Sequence, residues 1–435
     1  MRKMKDSGVE WVGEIPSDWN LVPTKRIFRN EKRIVGTAVD EYERLALTMN
    51  GVIRRSKDDS EGLQPEKFEG YQILCKNELV FKLIDLENVK TSRVGLSPYT
   101  GLVSPAYIIL TNTQEDNRFY YYWFMFMYYN EVFNHLGGDG VRSALNARDL
   151  LVLPVPNITA EHRTRIADYL DSKCAKIDAV IVRQQEAIEK LKAYKLSVIT
   201  EAVTKGLNPD VPMKDSGNEW IGRMPQHWTV VKLGTIFDFL GGYAFNSDDY
   251  SDESENQIIR IGNVKNDKLI LDVNPVFVNN SVAEIAEKFR IKEGTILFTM
   301  TGTKGKRDYF FTHLVRKQDI KTRRLYLNQR VGCLIPTEMI YAGYYNYLLK
   351  DKRILDSIFI YETGTANQGN LGIESIRRTK LHFPPVEEQK AISNYLDKKF
   401  CGIDRLIERK MMTIEKLLEY KKALIYEVAT GKREV

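Results

Sequence analysis

A short segment that occurs twice places the strongest constraint on how this chain folds. Its first copy, MKDSGVEWVGEIPSDWNLVPTKRIF, fills Met4–Phe28, and its second, MKDSGNEWIGRMPQHWTVVKLGTIF, fills Met213–Phe237. The copies start 209 residues apart, agree at 13 of 25 positions and share both of their tryptophans. Because the whole chain has 5 tryptophans, chance does not explain this match. We name this segment the Trp motif and infer two related parts in one chain.

A second repeated segment ends each part. Glu161–Gly206 matches Glu387–Lys432 at an offset of 226 residues, with shared strings such as YLD and EKL. Alternating steps of four and three residues connect apolar side chains in both copies, a spacing typical of helices that pack along one stripe. We therefore predict a long helix in each copy, with a seam at Ile177, Ile181, Ile188, Leu191, Val198, Ile403, Ile407, Ile414, Leu417 and Leu424. Polar residues fall at matching seam positions, namely Gln184, Lys195, Lys410 and Lys421.

The regions between the motifs differ in sequence and predict globular domains of mixed α/β class. Short runs rich in β-branched and aromatic residues, bounded by turn residues, are typical of buried strands. Such runs occur at Glu78–Phe81, Ala106–Leu110 and Thr295–Met300. Two copies are too few for a solenoid, so we predict two α/β (α+β) domains and two long helices, related by pseudo-two-fold symmetry. The predicted boundaries are 1–158 for the first domain, 159–208 for its helix, 209–385 for the second domain and 386–435 for its helix.

Composition argues against several other classes of protein. The net charge is +6, from 64 Lys and Arg against 58 Asp and Glu, which leans towards polyanionic partners. The four cysteines lack the C-x-x-C spacing of metal sites, so we expect a reduced, cytoplasmic protein without a metal. The most apolar run, Phe119–Tyr129, is far shorter than the ~20 residues that cross a bilayer. The first residues also lack the apolar stretch of a signal peptide, so we expect no membrane association.

Together, these segments resemble the specificity subunit of type I restriction–modification systems. The pattern S-G-x-E-W-x-G-x-x-P-x-x-W occurs at Ser7–Trp19 and again at Ser216–Trp228. Val386–Asp404 carries the helix motif of that family, and Ala160–Asp178 is its weaker partner. The resemblance covers essentially the whole chain, since two kinds of motif each occur twice in the expected order.

Within that resemblance, the first helix motif differs from the second at two adjacent positions. His162 and Arg163 stand where the second copy, like the family, has Glu388 and Gln389. The resemblance therefore implies contacts with a partner subunit at these positions less directly for the first copy than for the second.

The resemblance implies a protein that recognises DNA and assembles other subunits. Each variable region would be a target recognition domain that reads one half of a bipartite sequence in double-stranded DNA. The long helices would pair antiparallel as a coiled-coil spacer and dock two adenine-specific methyltransferase subunits, which restriction subunits join in the full complex. S-adenosylmethionine, ATP and Mg²⁺ would act in those partner subunits, and this chain would be a non-catalytic subunit without a cofactor. Partner docking and the coil are assigned to the seam residues and to Trp11, Trp19, Trp220 and Trp228.

The sequence contains no recognisable catalytic motif. Phe383–Val386 reads FPPV and Thr363–Gly369 reads TGTANQG, and neither matches the base-holding loop or the glycine-rich turn of a DNA methyltransferase. The G-x-x-x-x-G-K-[ST] loop of ATP-driven proteins is absent from the sequence. Two alternatives stay open: the chain is the recognition portion of a fused restriction–methylation enzyme, or it is a coiled-coil interaction protein without a DNA role.

Basic and polar loop segments are the candidates for DNA contact. Arg and Lys pair with guanine, Asn and Gln pair with adenine, and half or more of protein–DNA hydrogen bonds go to the backbone. Such side chains cluster in loop-like strings, for example GVIRRSK and GTKGKR. The candidate DNA-binding residues are Arg54, Arg55, Lys57, Lys90, Arg93, Arg142, Asn146, Lys304, Lys306, Arg307, Arg323, Arg324, Gln368 and Asn370.

Overall fold

The chain folds into two compact units. The structure, a computed structural model, describes residues 2–49, 51–59, 67–84, 86, 93–114, 116–136, 144–365 and 367–435. The first unit consists of Met1–Gln185 and Lys410–Val435, and the second consists of Glu186–Arg409. Each unit therefore contains one variable region and parts of both long helices.

The first half of the chain forms short strands and helices that lead into one long helix. In chain order these elements are β1 (Met4–Asp6), β2 (Glu14–Pro16), β3 (Leu21–Pro23), β4 (Arg44–Thr48), β5 (Gly51–Arg55), β6 (Gln72–Leu74), β7 (Leu79–Lys82), β8 (Arg93–Leu96), β9 (Gly101–Val103), β10 (Ile108–Leu110), α1 (Arg118–Tyr129), α2 (Val132–His135), α3 (Ala147–Val152), β11 (Pro154–Pro156) and α4 (Ala160–Lys205). One sheet has the order β5-β4-β9-β6, and β7 is the central strand of another, β10-β7-β8. Phe81 of β7 meets Phe124 of α1 edge to face, with ring centroids 5.0 Å apart, which fixes this helix against the sheet.

The second half follows the same plan with additional strands. Its elements are β12 (Met213–Asp215), β13 (Arg223–Pro225), β14 (Thr229–Lys232), α5 (Leu233–Ile236), β15 (Phe237–Gly241), β16 (Tyr250–Ser251), β17 (Asn256–Ile259), β18 (Val264–Lys265), β19 (Lys268–Leu269), β20 (Phe277–Val278), α6 (Asn280–Ile285), β21 (Ile296–Thr299), β22 (Thr301–Gly302), β23 (Thr312–Leu314), β24 (Arg324–Leu327), β25 (Val331–Pro336), α7 (Ala342–Leu348), α8 (Lys352–Phe359), β26 (Thr363–Thr365), β27 (Gln368–Asn370), α9 (Ile373–Arg377), β28 (Lys380–Phe383) and α10 (Val386–Ala429). Its larger sheets have the orders β15-β25-β21-β23, β16-β20-β17-β24 and β22-β27-β26.

The Trp motif folds in the same way in both units. Met4 pairs with Pro16 across the β1–β2 hairpin, and Met213 pairs with Pro225 across β12–β13. The strand after each hairpin, β3 or β14, pairs with the strand just before the long helix, β11 or β28. The first and last strands that flank each variable region are therefore paired with each other. This pairing gives a structural reason why repeated sequence occurs at both ends of each variable region.

The strands predicted in the variable regions are present, and the mixed α/β content is confirmed. The apolar runs form β7, β10 and β21, with ends that differ from the predicted ones by one or two residues. The aromatic run at Phe119–Tyr129 forms α1, in which Trp123, Phe124 and Phe126 are fully buried. Most strand pairs are antiparallel, so the mixed α/β content has the α+β arrangement. In the part of the chain that the structure describes, no helix is both long and apolar enough to span a membrane.

The long helices α4 and α10 pack against each other in each unit. In the first unit, Leu170 near the start of α4 belongs to the same buried cluster as Leu424 near the end of α10. In the second unit, Val198 near the end of α4 shares a cluster with Leu396 near the start of α10. The helices therefore run in opposite directions where they are in contact. The predicted seam residues are all buried or half-buried.

Charged seam residues make equivalent contacts across the helices in the two units. Lys421 Nζ lies 2.7 Å from Asp178 Oδ2 in the first unit, and Lys195 Nζ lies 2.6 Å from Asp404 Oδ1 in the second. Each residue of one pair matches a residue of the other at the 226-residue offset. The repeat in sequence is therefore also a repeat in contacts.

A tyrosine joins each variable region to its long helix. The Tyr122 hydroxyl donates to Asp171 Oδ1 at 2.7 Å in the first unit, and the Tyr347 hydroxyl donates to Asp397 Oδ1 at 2.7 Å in the second. Burial, together with these hydrogen bonds, raises the pKa of both phenols, so both stay protonated donors. The two variable regions thus share an anchor although their sequences differ.

Candidate DNA interface and partner surface

In the second unit, two of the predicted DNA-contact segments lie together. The basic string GTKGKR begins in β22, and Gln368 and Asn370 lie on β27 of the β26–β27 hairpin. β22 pairs with β27, so the basic loop and the hairpin share one sheet. Lys304 Nζ also donates to the Gly364 carbonyl at 2.9 Å. We name this the hairpin surface, formed by residues 302–307, 363–365 and 367–370.

Glu362 holds the basic loop in place. Its carboxylate accepts hydrogen bonds from the Gly305 N–H at 3.1 Å and from the Tyr309 hydroxyl at 2.8 Å. A Cβ on Gly369 would stand 2.5 Å from Glu362 Oε1, so a larger residue at this position would displace the carboxylate. Burial and the bond to Glu362 raise the pKa of Tyr309, which therefore stays a donor. Glu362 could not be identified from the sequence, because nothing in its local pattern points to the loop that it holds.

The exposed side chains of the hairpin surface include hydroxyl, amide and ammonium groups, together with the guanidinium of Arg307. Thr363, Thr365, Gln368 and Lys306 are all exposed. A two-stranded β-ribbon fits the DNA major groove, where hydroxyl and amide groups bond to base edges. Lysines neutralise phosphates and so position a protein on the duplex. The hairpin surface therefore carries the groups that both kinds of contact require.

The candidate arginines of the second unit are held by contacts within that unit. Arg323 donates to Gln257 Oε1 at 2.9 Å and to Asp272 Oδ1 at 2.8 Å. Arg307 forms an ion pair with an aspartate, and Arg324 Nη2 lies 3.9 Å from a glutamate oxygen. Arg324 begins β24, which belongs to the sheet of β17 and not to that of the hairpin surface. Arg324, with Arg323 beside it in sequence, therefore lies at a different sheet from Lys304 and the rest of the hairpin surface.

The candidate residues around β5 of the first unit also have carboxylate or carbonyl partners. Arg54 Nε lies 2.9 Å from Glu43 Oε2, and Arg55 Nε lies 2.6 Å from Asp59 Oδ2. Lys57 Nζ donates to a backbone carbonyl at 2.7 Å. All three basic residues line an open cavity of about 540 Å³ together with acidic side chains. The charge of this surface is therefore mixed rather than uniformly positive.

The remaining candidates of the first unit have different positions. Lys90 and Arg142 lie outside the described residues. Arg93 begins β8, with its guanidinium 3.5 Å from a tyrosine hydroxyl. Asn146 is the N-cap of α3, and its side-chain oxygen accepts a hydrogen bond from the Arg148 N–H at 2.8 Å. This cap gives Asn146 a local structural role, while its contact with DNA stays a prediction.

The tryptophans of the Trp motif contact their own unit. Trp19 and Trp228 are buried, with exposed fractions of 1% and 0%. Trp11 and Trp220 are half-buried, and the Trp11 ring lies 5.9 Å from the ring of Phe126. These contacts join each motif to its variable region and helices. Partner binding by the tryptophans therefore stays a prediction.

Tyrosine and lysine side chains of the long helices lie together in a similar way in both units. In the second unit, Lys399 Nζ donates to the Tyr395 hydroxyl at 2.8 Å and lies 5.6 Å from the ring centroid of Tyr194. In the first unit, Lys173 Nζ lies 5.4 Å from the ring centroid of Tyr169. We name these the tyrosine–lysine clusters. The second unit has Tyr395, Lys399 and Tyr194, and the first has Tyr169 and Lys173, to which we add Tyr420 because it stands at the position equivalent to Tyr194.

The tyrosine–lysine clusters have the chemistry of a protein interface. Tyr194 is 48% exposed and Tyr420 is 51% exposed, although tyrosine is enriched at contacts between proteins. Hydrogen bonds with Tyr395 and Tyr194 raise the pKa of Lys399, which keeps this ammonium charged. All three residues of one cluster are identical to those of the other at the 226-residue offset, and that identity is the sequence signal that could have revealed them.

Known proteins resemble this chain along most of its length. Residues 225–416 match the family model described as the type I restriction modification DNA specificity domain. A protein predicted to be the MjaX specificity subunit of a type I restriction enzyme, from Methanocaldococcus jannaschii, is 23% identical over 442 residues, which cover 98% of this chain and 96% of the relative. The MjaVIII specificity subunit of the same organism is 28% identical over 290 residues, 65% of this chain and 62% of the relative. A solved chain, from work on complex assembly and conformational transition of the type I R-M system, has a TM-score of 0.62 and 13% identity over 96% of this chain and 99% of its own.

The duplicated frame and the differing variable regions define a two-part protein of mixed α/β content. Over nearly its whole length the chain is similar to type I restriction–modification specificity subunits, as its motifs predict. It carries the DNA specificity domain of that family. At 13% identity, the likeness to the solved chain supports the fold alone.

Proposed function

We propose that this chain is the DNA-recognition and assembly subunit of a type I restriction–modification complex, without catalytic activity of its own. Each variable region reads one half of a bipartite target in double-stranded DNA, and α4 and α10 form an antiparallel coiled-coil spacer. The proposed recognition domains are 1–158 and 209–385, and the proposed spacers are 159–208 and 386–435, related by the pseudo-two-fold that the repeats predict.

The observation that carries this proposal is that the two units share one surface and differ in another. The tyrosine–lysine clusters are identical in residue type, which suits two copies of one partner. The variable regions differ, which suits two different DNA half-sites. We therefore assign one methyltransferase subunit to each cluster, with restriction subunits joining the assembly. S-adenosylmethionine, ATP and Mg²⁺ would be bound by those partners.

The DNA side of the proposal rests on the hairpin surface. Its exposed hydroxyl and amide groups suit base edges, and Lys304 and Lys306 suit phosphates. The first unit has a related frame, since Ile84 bridges to Ala144 at the place equivalent to the pairing of β22 with β27. A DNA-contact surface in the first unit would therefore lie beside this bridge.

Binding and assembly measurements on matched variants test this proposal. The probe is a duplex carrying the sequence that the host methylates, titrated at several salt concentrations. In the K304A/K306A variant we expect about tenfold or greater loss of affinity and a salt slope flatter by about 2, because each lost phosphate contact releases about 0.9 fewer counterions. The K288A/K292A variant, which removes two exposed lysines of the same unit outside the hairpin surface, is the control. Equal effects of the two variants would refute the role of the hairpin surface.

The assembly part of the experiment counts methyltransferase subunits by native mass spectrometry. We expect two subunits on the unmodified chain, one on K173E, one on K399E and none on the double variant. The charge reversal places an acid where an ammonium lies between or beside tyrosines, and DNA binding by the free chain should be retained. K190E, at another exposed lysine of α4, is the control and should keep both subunits. Two subunits on the K173E/K399E variant would show that the clusters are not the docking surface.

A further inference from the structure

Where the Trp motif meets the long helix, each unit has one acid and one histidine. The motif supplies the acid in the first unit and the histidine in the second. In the second unit, His227 Nε2 lies 2.9 Å from Glu388 Oε2, in the first turn of α10. The equivalent positions of the first unit hold Asp18 in the motif and His162 in the helix. A hydrogen bond from Arg2 lowers the pKa of Asp18, and the charge of His162 acts in the same direction. Each unit thus has one acid and one histidine at these equivalent positions, in opposite order, and in the first unit Asp18 also forms an ion pair with Arg2, whose Nη2 lies 2.7 Å from Asp18 Oδ2.

The exchange changes the bonding of the adjacent tryptophan. Trp228 Nε1 donates to Glu388 Oε2 at 2.5 Å, so the acid of the helix satisfies a buried N–H group. Trp19 Nε1 is buried without a hydrogen-bond partner among the described residues. His162 therefore does not reproduce the acceptor that Glu388 supplies. A buried donor without an acceptor, such as Trp19 Nε1, lowers the stability of the fold. Another favourable interaction is therefore needed to explain why position 162 is a histidine.

The next position shows that the frame around the exchange is kept. Arg163 Nη1 donates to the Ile158 carbonyl at 2.6 Å, and Gln389 Nε2 donates to the Pro384 carbonyl at 2.9 Å. The two carbonyls are equivalent at the 226-residue offset. A different residue thus makes the same contact at this position, whereas at the preceding position the charge itself is reversed.

A chain with two similar Trp motifs and two similar helices has two ways to pair each motif with a helix. We propose that the exchanged acid–histidine pairs form a pairing code that directs each Trp motif to its own helix. In the native arrangement, each unit has an acid and a histidine at these positions, in direct contact in the second unit and within electrostatic range in the first. In the exchanged arrangement, Asp18 would face Glu388 and His227 would face His162, so two acid–histidine pairs become one acid pair and one histidine pair.

The charges, and not the tryptophan bonds, distinguish the two arrangements. The acceptor Glu388 can serve one tryptophan in either arrangement, so that bond is present once in both and cancels. The charge pairs do not cancel, because both become unfavourable together. The side chains of His227 and Glu388 are 44% and 34% exposed, so the preference is modest. We expect the native pairing to be favoured by about 5-fold through this code, which is about 1 kcal/mol.

Refolding of tagged full-length chains tests the pairing code. All variants are made in an Arg2→Val background, because Val211 stands at the position equivalent to Arg2. Two erasing variants give both units the same order, D18H/H162E and H227D/E388H. A restoring variant carries all four substitutions and so reverses the order in both units. Two differently tagged preparations of each variant are unfolded together in urea and refolded at pH 6.5, and the fraction of particles carrying both tags is measured.

The code predicts a pattern that local damage to either contact does not produce. Chains paired through exchanged motifs should rise about 5-fold in both erasing variants and return to the background level in the restoring variant. If the substitutions acted only by lowering stability, the restoring variant would instead show the largest fraction of particles with both tags, because it has the most substitutions. The proposal is overturned if the erasing variants refold like the background, or if the restoring variant shows as many mixed particles as they do.

Discussion

At the scale of single residues, His382 is a buried titratable group of the second unit whose pKa is shifted by burial. It is 0% exposed, its ring centroid lies 5.9 Å from that of Trp228, and both ring nitrogens lack partners among the described residues. Burial, with a smaller contribution from the charge of Arg353, lowers the pKa of His382 to about 4. The imidazole is therefore neutral in the fold at pH values where an unfolded chain would protonate it.

Because the folded pKa of His382 lies below its unfolded value, acid should destabilise the second unit. The unfolded chain binds the proton first as the pH falls below about 6.5, so stability is lost from there down to about pH 4. Between pH 7.5 and pH 5 this loss should be about 2 kcal/mol in the native chain and absent from His382→Leu. Urea unfolding at both pH values, followed by hydrogen exchange in peptides of the second unit, measures it. His135→Leu, at an exposed position, should keep the native pH dependence.

Single residues also show where prediction from sequence stops. The basic strings are visible in the sequence. The sequence does not show which of their side chains bond within the unit, as Arg323 does, and which stay exposed, as Lys306 does. Arg323 bonds to Gln257, 66 positions earlier, and to Asp272, 51 positions earlier, whereas Lys306 is exposed. Partners this far apart in sequence meet only through the sheet, so local pattern does not reveal them. Glu362 was missed for the same reason, since its partners lie more than 50 positions away.

At the scale of elements, the two long helices were predictable in position but not in direction. The seam follows from apolar spacing, and spacing is the same whether helices run parallel or antiparallel. Direction follows from which ends meet, and the pairs Asp178 with Lys421 and Lys195 with Asp404 join the start of one helix to the end of the other. The antiparallel direction came from the resemblance to a family, and these contacts agree with it.

Cysteine pairs placed on the helices report their direction. In a chain with Cys174 and Cys401 replaced by Ala, D178C/K421C should be joined within one chain by a short bismaleimide, because the native side chains are 2.7 Å apart. D178C/D404C, which would be adjacent in parallel helices, is the control and should stay unjoined. Migration in denaturing gels distinguishes the two. Joining of the control pair would contradict the antiparallel arrangement. A disulfide between Cys174 and Cys401 within one unsubstituted chain would contradict it too.

At the scale of the whole molecule, the repeats predict a chain of two parts. The structure adds the position at which these parts divide. Each long helix contributes residues to both units, so the division falls within the helices. Lys410 Nζ donates to Gln184 Oε1 at 2.8 Å, and these positions are equivalent at the 226-residue offset. A change in helix length must therefore be made at this matched level in both helices to keep the other contacts in register.

Lengthening both helices together tests whether they set the distance between the two DNA half-sites. Seven residues inserted after Gln185 and seven after Arg409 keep the seam in phase, because a heptad returns to the same face. They add about 10 Å of helix at 1.5 Å per residue, or about three base pairs at 3.4 Å each. We expect the methylated half-sites to keep their sequences, while the gap between them grows by up to about three base pairs. Affinity should fall, since the added base pairs rotate one half-site by roughly 100° relative to the other.

Sequencing of methylated positions in a host that carries the lengthened chain measures the gap directly. Two controls separate length from damage. Seven residues inserted in one helix alone leave about two turns without a partner and should abolish methylation. Four residues inserted in both helices add length but move the seam by half a heptad, so the apolar stripe no longer faces the partner helix and the coil should be lost. An unchanged gap in an active chain with both heptads would show that something other than these helices sets the spacing.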